Sequence, residues 1–346
     1  MPQENADALT RKKLHTYMRG YTHSSLLRCS VELGVYDAVA QGPADVDVLA
    51  ARLGTSERGT RILLNALAAI GLLHHGAGRY SLVPGAEDLL VKGGKDYFGG
   101  PIRLGIDSWE WDAHKRLAES VRKGAPVMET TADTPDFDYF GVWAEHSADS
   151  TFNTGAAQLV ADLLLPWNPA AERVDVLDVG CGSGWYGFEI ARREPRARLC
   201  AFDWAPRVLA VAEENARRLE VADRTEFRQG DAFNDPLGGP YDLVTMAHVL
   251  HHRSARQAAG LLRRLHAAMR PGGRIGVVGH TFDERVSPAD DPNPHLFALI
   301  MLMQTETGEP HSLDTYRWMF TEAGFTNVRF HASTNSMHKA IVADRA

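Results

Sequence analysis

Three glycines and two acids are the first residues in this chain whose spacing suggests chemistry. Gly180, Gly182 and Gly184 alternate with small residues directly after the apolar run Val174–Val179. Glycine accepts positive φ and lets the backbone approach a ligand closely. Asp203 ends a second apolar run, Leu199–Phe202, where an acid can accept hydrogen bonds from both hydroxyls of a ribose. Asp178 lies inside the first run, and a buried carboxylate is costly there unless it is paired. It therefore takes a ligand ammonium group or the amides of the glycine loop. Further on, His251 follows the apolar run that begins at Tyr241. A histidine near pKa 6.5 can take a proton from a reacting group.

These residues need elements to hold them. Val174–Val179 reads as a buried parallel strand, and Gly184–Arg193 as the following helix, ended by Pro195. Strand, glycine turn and helix open a nucleotide-binding α/β unit. The alternation continues with helices near Pro206–Arg218 and Ala255–Met269. After it come an irregular insert, His280–Glu309, a helix, Leu313–Ala323, and strands at Phe325–Phe330 and His338–Val342.

The run Asp178-Val179-Gly180-Cys181-Gly182-Ser183-Gly184, with Asp203 beyond it, resembles the first two motifs of class I S-adenosylmethionine (SAM) methyltransferases. A nicotinamide-binding loop more often reads GxGxxG, and the sixth position here is Trp185. Gly230-Asp231-Ala232-Phe233 resembles the adenine-binding segment. Tyr241-Asp242-Leu243-Val244 matches the start of the family's fourth strand, and Met269-Arg270-Pro271-Gly272-Gly273 the segment that precedes its fifth. The resemblance implies an α/β fold, with a seven-stranded Rossmann-like sheet whose last strand runs antiparallel. It implies SAM as cofactor. Asp178, Gly180 and Gly182 then hold its methionine end, Asp203 its ribose with Trp204 alongside, Asp231, Ala232 and Phe233 its adenine, and His248 packs nearby.

The N-terminal part reads as a helix over Arg11–Leu33, a short helix over Asp45–Leu53 and another over Glu57–Ile70. Two short strands then flank Gly76-Ala77-Gly78. This winged-helix layout serves either DNA binding or dimerisation. The would-be recognition helix, Glu57–Ile70, carries Arg58 and Arg61 but also Glu57 and a mostly apolar end, too few cations for a phosphate-binding face. The layout resembles the N-terminal dimerisation domain of the small-molecule O-methyltransferase family of plant phenolic and bacterial natural-product pathways. The expected organisation is a mainly helical winged-helix dimerisation domain (1–100), a helical linker contributing to the substrate pocket (101–165) and a SAM-binding domain (166–346). The linker includes an aromatic helix over Ile106–Arg122 with Trp109 and Trp111, then Asp136–Trp143 and Phe152-Asn153. In the family such segments wall the pocket; the same aromatics also serve as ordinary core. Trp109, Phe140, Trp143, His252, His295 and Met303 are the expected substrate contacts.

Leu250-His251-His252-Arg253-Ser254 resembles the family's Leu-His-Asp-Trp-Ser/Thr segment, which puts His251 on the catalytic base. The family's aspartate is His252 here and its tryptophan is Arg253. One of the family's two glutamates is absent at Val278-Gly279-His280, and the other aligns with Pro310 or, with a one-residue shift, Glu309. The non-catalytic reading of His251 is a surface or capping histidine, with His252 facing solvent. The acceptor is a small aromatic or enolisable molecule, with O-methylation favoured. C- or N-methylation, non-methylating chemistry with retained SAM (hydroxylation, decarboxylation or cyclisation) and a SAM-sensing DNA-binding regulator are the alternatives. His251, His252, His280, His295 and His311 with Asp290, Asp291, Glu306 and Glu309 lie near one sheet edge or its insert, but no compact ligand spacing joins them, and no metal is expected.

The chain has 346 residues, a net charge of −7, 44% hydrophobic and 23% charged residues. That balance fits a globular protein without a nucleic-acid-binding stripe. Met1–Gly20 is too polar for a signal peptide, and no run reaches the length of a membrane span. Three cysteines, Cys29, Cys181 and Cys200, suit a reducing cytoplasm better than a disulfide framework. A cytoplasmic homodimer acting on a small molecule is expected.

Overall fold

The computed structural model describes residues 9–104, 108–134, 137–147, 154–168, 170–332 and 338–346. Ile106, Asp136, Phe152 and Asn153 lie outside the described residues. The described chain divides into two compact units, one up to residue 104 and one from Ser108 onward.

Capping residues set the helices of the N-terminal unit. Asp45 accepts from the Val48 amide to start Val46–Leu53, which ends at left-handed Gly54. Ser56 accepts from the Gly59 amide to start Glu57–Ala69. Both interactions satisfy first-turn N–H groups that have no partner within the helix. Strands β1 (Leu73–Gly76) and β2 (Arg79–Leu82) form an antiparallel hairpin. Its turn residues, Ala77 and Gly78, both take positive φ, as a tight two-residue hairpin turn requires. Val35, Tyr36, Leu49, Leu64, Leu67, Leu73 and Tyr80 form the core. The helix expected over Arg11–Leu33 is instead two, Arg11–Met18 and Gly20–Glu32, interrupted at Arg19, beside a glycine of poor helix propensity. The first buries no residue, and Leu14, Tyr17, Met18 and Tyr21 are all more than half exposed.

The C-terminal unit is built on β3 (Val174–Val179), β4 (Ala197–Asp203), β5 (Thr225–Gln229), β6 (Tyr241–Ala247) and β7 (Met269–Gly279). A parallel pair, β8 (Thr281–Phe282) and β9 (His311–Ser312), follows, then β10 (Phe325–Ala332) and β11 (Lys339–Arg345). The main sheet has the order β10-β11-β7-β6-β3-β4-β5. Strands β3 to β7 pair parallel, while β11 runs antiparallel to both β7 and β10. This is the seven-stranded arrangement expected from the sequence.

Both faces of the sheet are covered, so successive side chains of β3 enter different cores. Val176 packs with Val160, Leu164, Ile190 and Leu199. Leu177 packs with Met246, Leu262, Ile275 and Phe320.

Three sequence expectations are corrected in this unit. The insert over His280–Glu309 is not irregular: it holds β8 and a helix, Pro292–Gln304. Pro292 and Pro294 read as loop residues, although proline is tolerated in a first helical turn, and the following Leu296–Met303 has no polar face to reveal a helical period. The aromatic helix is two, Ser108–Lys115 and Leu117–Lys123, broken at Arg116, whose guanidinium donates to Glu119 and to the Val127 carbonyl. Met269–Gly273 lies inside β7 rather than before it; Met269 pairs with Tyr241, and the register then shifts.

Candidate active site

The carboxyl ends of β3 and β4 hold the glycine loop. Gly180, Gly182 and Gly184 take φ of +61°, +55° and +91°, a region open to glycine and strained for most other residues. A Cβ on Gly180 would lie 2.5 Å from Val249, and one on Gly184 would strike Phe188. At Gly182 nothing lies within 4 Å of that position. The loop is thus packed at two glycines and open at the third.

Asp203 ties the loop to the next turn. Its Oδ2 accepts from the Gly182 amide at 3.1 Å and its Oδ1 from the Ala205 amide at 3.1 Å. Burial raises its pKa above the ordinary carboxyl value. Asp178 is 1% exposed. Its Oδ1 accepts from the Thr245 hydroxyl at 2.8 Å and its Oδ2 from the Gly187 amide at 3.0 Å. The Gly187 amide belongs to the first turn of Trp185–Arg193, so Asp178 satisfies one of that helix's unpaired donors. Burial pushes the Asp178 carboxyl up to about 7.

Asp231 folds its own segment. Its Oδ1 accepts from the Phe233 amide at 2.9 Å and its Oδ2 from the Asn234 side chain at 2.6 Å. This Asx-type turn sets Ala232 and Phe233 against the apolar core. Trp204 is half-buried, and its carbonyl accepts from Gln229.

The histidine run follows β6. His248 has φ +60°, uncommon for a residue with a side chain. Leu250–His252 makes one tight helical turn. Ser254 and Gln257 then form a reciprocal capping box that starts Ala255–Ala268. His251 is 2% exposed, which rules out the surface reading of this residue. Its Nδ1 is buried without a hydrogen-bond partner, and its ring meets Phe297 edge-on at 5.0 Å. Burial and then the neighbouring histidines hold its pKa well below the ordinary value. His252 faces solvent only in part. It is half-buried, meets Phe140 at 5.4 Å, and is pushed down to about 4 by burial and the charge of Arg253.

Phe140 belongs to an aromatic group with Phe137, Tyr139 and Trp109, and Trp109 Nε1 donates to the Thr130 carbonyl at 2.9 Å. Trp143 is half-buried on Tyr139–Ser147. Met303 is buried on Pro292–Gln304, and His295 on the same helix turns its ring to Phe282 at 4.9 Å. The structure therefore gathers His251, His252, Phe140 and Phe297, whereas His295 pairs elsewhere. His311 braces the turn, its Nε2 lying 3.3 and 3.1 Å from the Leu250 and Arg253 carbonyls. Glu309 is exposed.

Four residues that sequence reasoning did not single out complete the surroundings: Thr245, Phe297, Asp133 and His338. Asp133 forms an ion pair with Arg253 and accepts from the Glu306 amide. Arg253 in turn lies 5.0 Å over the Phe233 ring. Only the pairing of Thr245 with Asp178, adjacent in β6 and β3, carried a signal, because a buried carboxylate on β3 needs a donor on a neighbouring strand.

Comparison with known proteins decides the family. The description "O-methyltransferase domain" matches residues 115–326, and "O-methyltransferase dimerisation domain" matches residues 15–92. The chain belongs to the O-methyltransferase family. The tetracenomycin polyketide synthesis 8-O-methyl transferase TcmO of Streptomyces glaucescens is 30% identical over 338 residues, covering 91% of this chain and 94% of that protein. A solved protein described as an O-methyltransferase of Nostoc punctiforme superposes with a TM-score of 0.89 at 29% identity, over 97% of this chain and 100% of its own. PigF, solved with S-adenosylhomocysteine (SAH), superposes with a TM-score of 0.82 at 25% identity, over 97% and 100%. This O-methyltransferase is SAM-dependent, and its open Gly182 and buried Asp203 fit that cofactor. Among its described residues no helix is long and apolar enough to cross a membrane.

Proposed function

We propose that this enzyme methylates a hydroxyl of a small phenolic or enolised polyketide-type molecule, with His251 as general base. The observation that carries the reading is the His251 imidazole. It is buried, its Nδ1 has no protein partner, and aromatic rings stand around it. A depressed pKa keeps the ring neutral at pH 7, and a neutral imidazole carries one nitrogen lone pair that can take a hydroxyl proton. TcmO, by its name, acts in polyketide synthesis, which agrees with an aromatic acceptor.

Bound SAM supplies a methyl group on a sulfonium. Asp178, Gly180 and Gly182 hold its methionine end, Asp203 its ribose with Trp204 alongside, and Asp231, Ala232 and Phe233 its adenine. Trp109, Phe140, Trp143, His252 and Met303 line the acceptor side. His251 would receive the acceptor's proton as the methyl–sulfur bond gives way to the methyl–oxygen bond and the thioether SAH leaves, and the imidazolium would return that proton to solvent on product release. Most of the rate then comes from positioning. A panel of naphthols, hydroxyanthraquinones, aryl amines and carbon acids, scored by SAH release, tests this. Turnover should follow the aromatic hydroxyls; turnover confined to amines or carbon acids would contradict it.

The same reading divides the chain into dimerisation (1–100), pocket (101–165) and SAM-binding (166–346) regions and makes the protein a cytoplasmic homodimer. The exposed apolar Leu14, Tyr17, Met18 and Tyr21 suit an interface. Light scattering should give the mass of two chains, and a monomer would remove the dimer. Thiol titration of protein from its native cells should find all three cysteines reduced, and a disulfide would remove the cytoplasm.

A further inference from the structure

We propose that His248, His280 and His338 form a site for a divalent transition metal, with an open coordination position beside His251.

The sheet topology assembles the three ligands. His248 follows β6, His280 follows β7 and His338 precedes β11. These strands are neighbours. Because β11 runs antiparallel, its first residue lies at the edge where β6 and β7 end; Lys339 pairs with Gly279. The His248 amide donates to the Val278 carbonyl at 2.8 Å. Each histidine is thus one step from a hydrogen-bonded sheet position, which fixes its backbone before its side chain.

The side chains converge. One nitrogen from each ring lies within 4.8 Å of the other two. Ring centroids are 4.4 Å apart for His248 and His338, 4.6 Å for His280 and His338, and 5.7 Å for His248 and His280. Three imidazoles on a tetrahedral ion place their nitrogens about 3.4 Å apart, so small rotamer changes close the set. His248 Nε2 is buried and has no hydrogen-bond partner, an expensive state that a metal would relieve. His248 also holds a strained positive φ, and such strain concentrates at functional positions. The His280 ring is stacked on Phe297 at 3.8 Å, which limits its orientation.

Three neutral imidazoles, with no carboxylate grouped with them among the described residues, suit zinc, cobalt or nickel rather than magnesium or calcium. They leave the ion's positive charge uncompensated and one position open, as in catalytic three-histidine sites. The His251 ring centroid lies 5.8 Å from those of both His248 and His280. An acceptor hydroxyl within reach of His251 is therefore also near the open position, where the ion would favour its anionic form. This last role rests on the acceptor reading above; the site itself does not.

The test uses full-length enzyme stripped by chelator and titrated with Co²⁺ alone. The expected result is one equivalent bound, with the visible bands of a tetrahedral ion, displaced by Zn²⁺. His280→Ala and His338→Gln should each lose the bands while binding SAH like wild type, which shows that they fold. His251→Ala should keep them. Absence of bands in wild type, or bands that survive in both ligand variants, overturns the site. Addition of 2-naphthol should shift the bands. If the bands are present and 2-naphthol leaves them unmoved, the metal's role in acceptor binding falls while SAH release still judges the acceptor reading separately.

Discussion

The two ends of the site are built by opposite means. At the cofactor end, backbone amides do most of the holding. Asp203 grips Gly182 and Ala205, Asp178 grips Gly187, and Asp231 grips Phe233. At the acceptor end the backbone recedes, and buried imidazoles and aromatic rings face one another. His251 stands against Phe297 and His252 against Phe140. The first end is a loop made rigid by carboxylates. The second leaves two imidazole nitrogens unpaired, the Nδ1 of His251 and the Nε2 of His248, while just past the glycine loop Trp185 Nε1 and the Tyr186 hydroxyl are also buried without a partner. A buried polar atom without a partner calls for an explanation, and a group that binds there is one. The cofactor end is therefore a preformed cradle, and the acceptor end is a site completed on binding.

Substitutions can separate the two. The largest effect is expected at the acceptor end. His251→Ala should lower kcat by about 10²- to 10⁴-fold, the usual contribution of a general base, measured by SAH release. Next comes a pH effect on the cradle. The native Asp178 carboxyl sits at about 7, well above the free-chain value near 4, so native protein keeps a proton that unfolded chain has shed. Stability from this group is full below about pH 4 and is lost as pH rises through about 7. The unfolding free energy of cofactor-free wild type, from denaturant titration, should fall between pH 5 and pH 8, by the order of a few kcal/mol. Asp178→Asn, which cannot ionise, should fall less; parallel curves for the two would remove Asp178 from the account.

A smaller loss is expected at Asp203. Removing its carboxylate deletes charged hydrogen bonds to a ribose and should weaken SAH binding by about 10- to 100-fold. The smallest effect belongs to Arg253, which lies over Phe233 and pairs with Asp133. Arg253→Ala should weaken SAH binding only a few-fold, since a cation–ring contact contributes about 0.5–1 kcal/mol. A larger change in calorimetry would mean that this arginine meets the cofactor directly.

The same contrast explains what the sequence revealed. The cradle is local. Its glycines, Asp178 and Asp203 lie in two consecutive strand–turn segments, so spacing alone marked them, and the alternation of strands and helices revealed the sheet. The acceptor end is assembled across the fold. Phe297 comes from a helix disguised by two prolines and an unbroken apolar run. Asp133 reaches Arg253 from far earlier in the chain, and His338 stands just before β11, which runs antiparallel to its neighbours in the main sheet. Nothing in their local sequence announces those meetings, because strand order and register bring them about. Periodicity also missed the breaks at Arg19, beside Gly20, and at Arg116.

The division between cradle and acceptor site is tested most directly by calorimetric titration of His251→Ala with SAH, beside wild type and Asp203→Ala. The account predicts wild-type affinity for His251→Ala and weakened binding for Asp203→Ala. Affinity lost in His251→Ala as well would contradict it, because that histidine would then belong to the cofactor's own site.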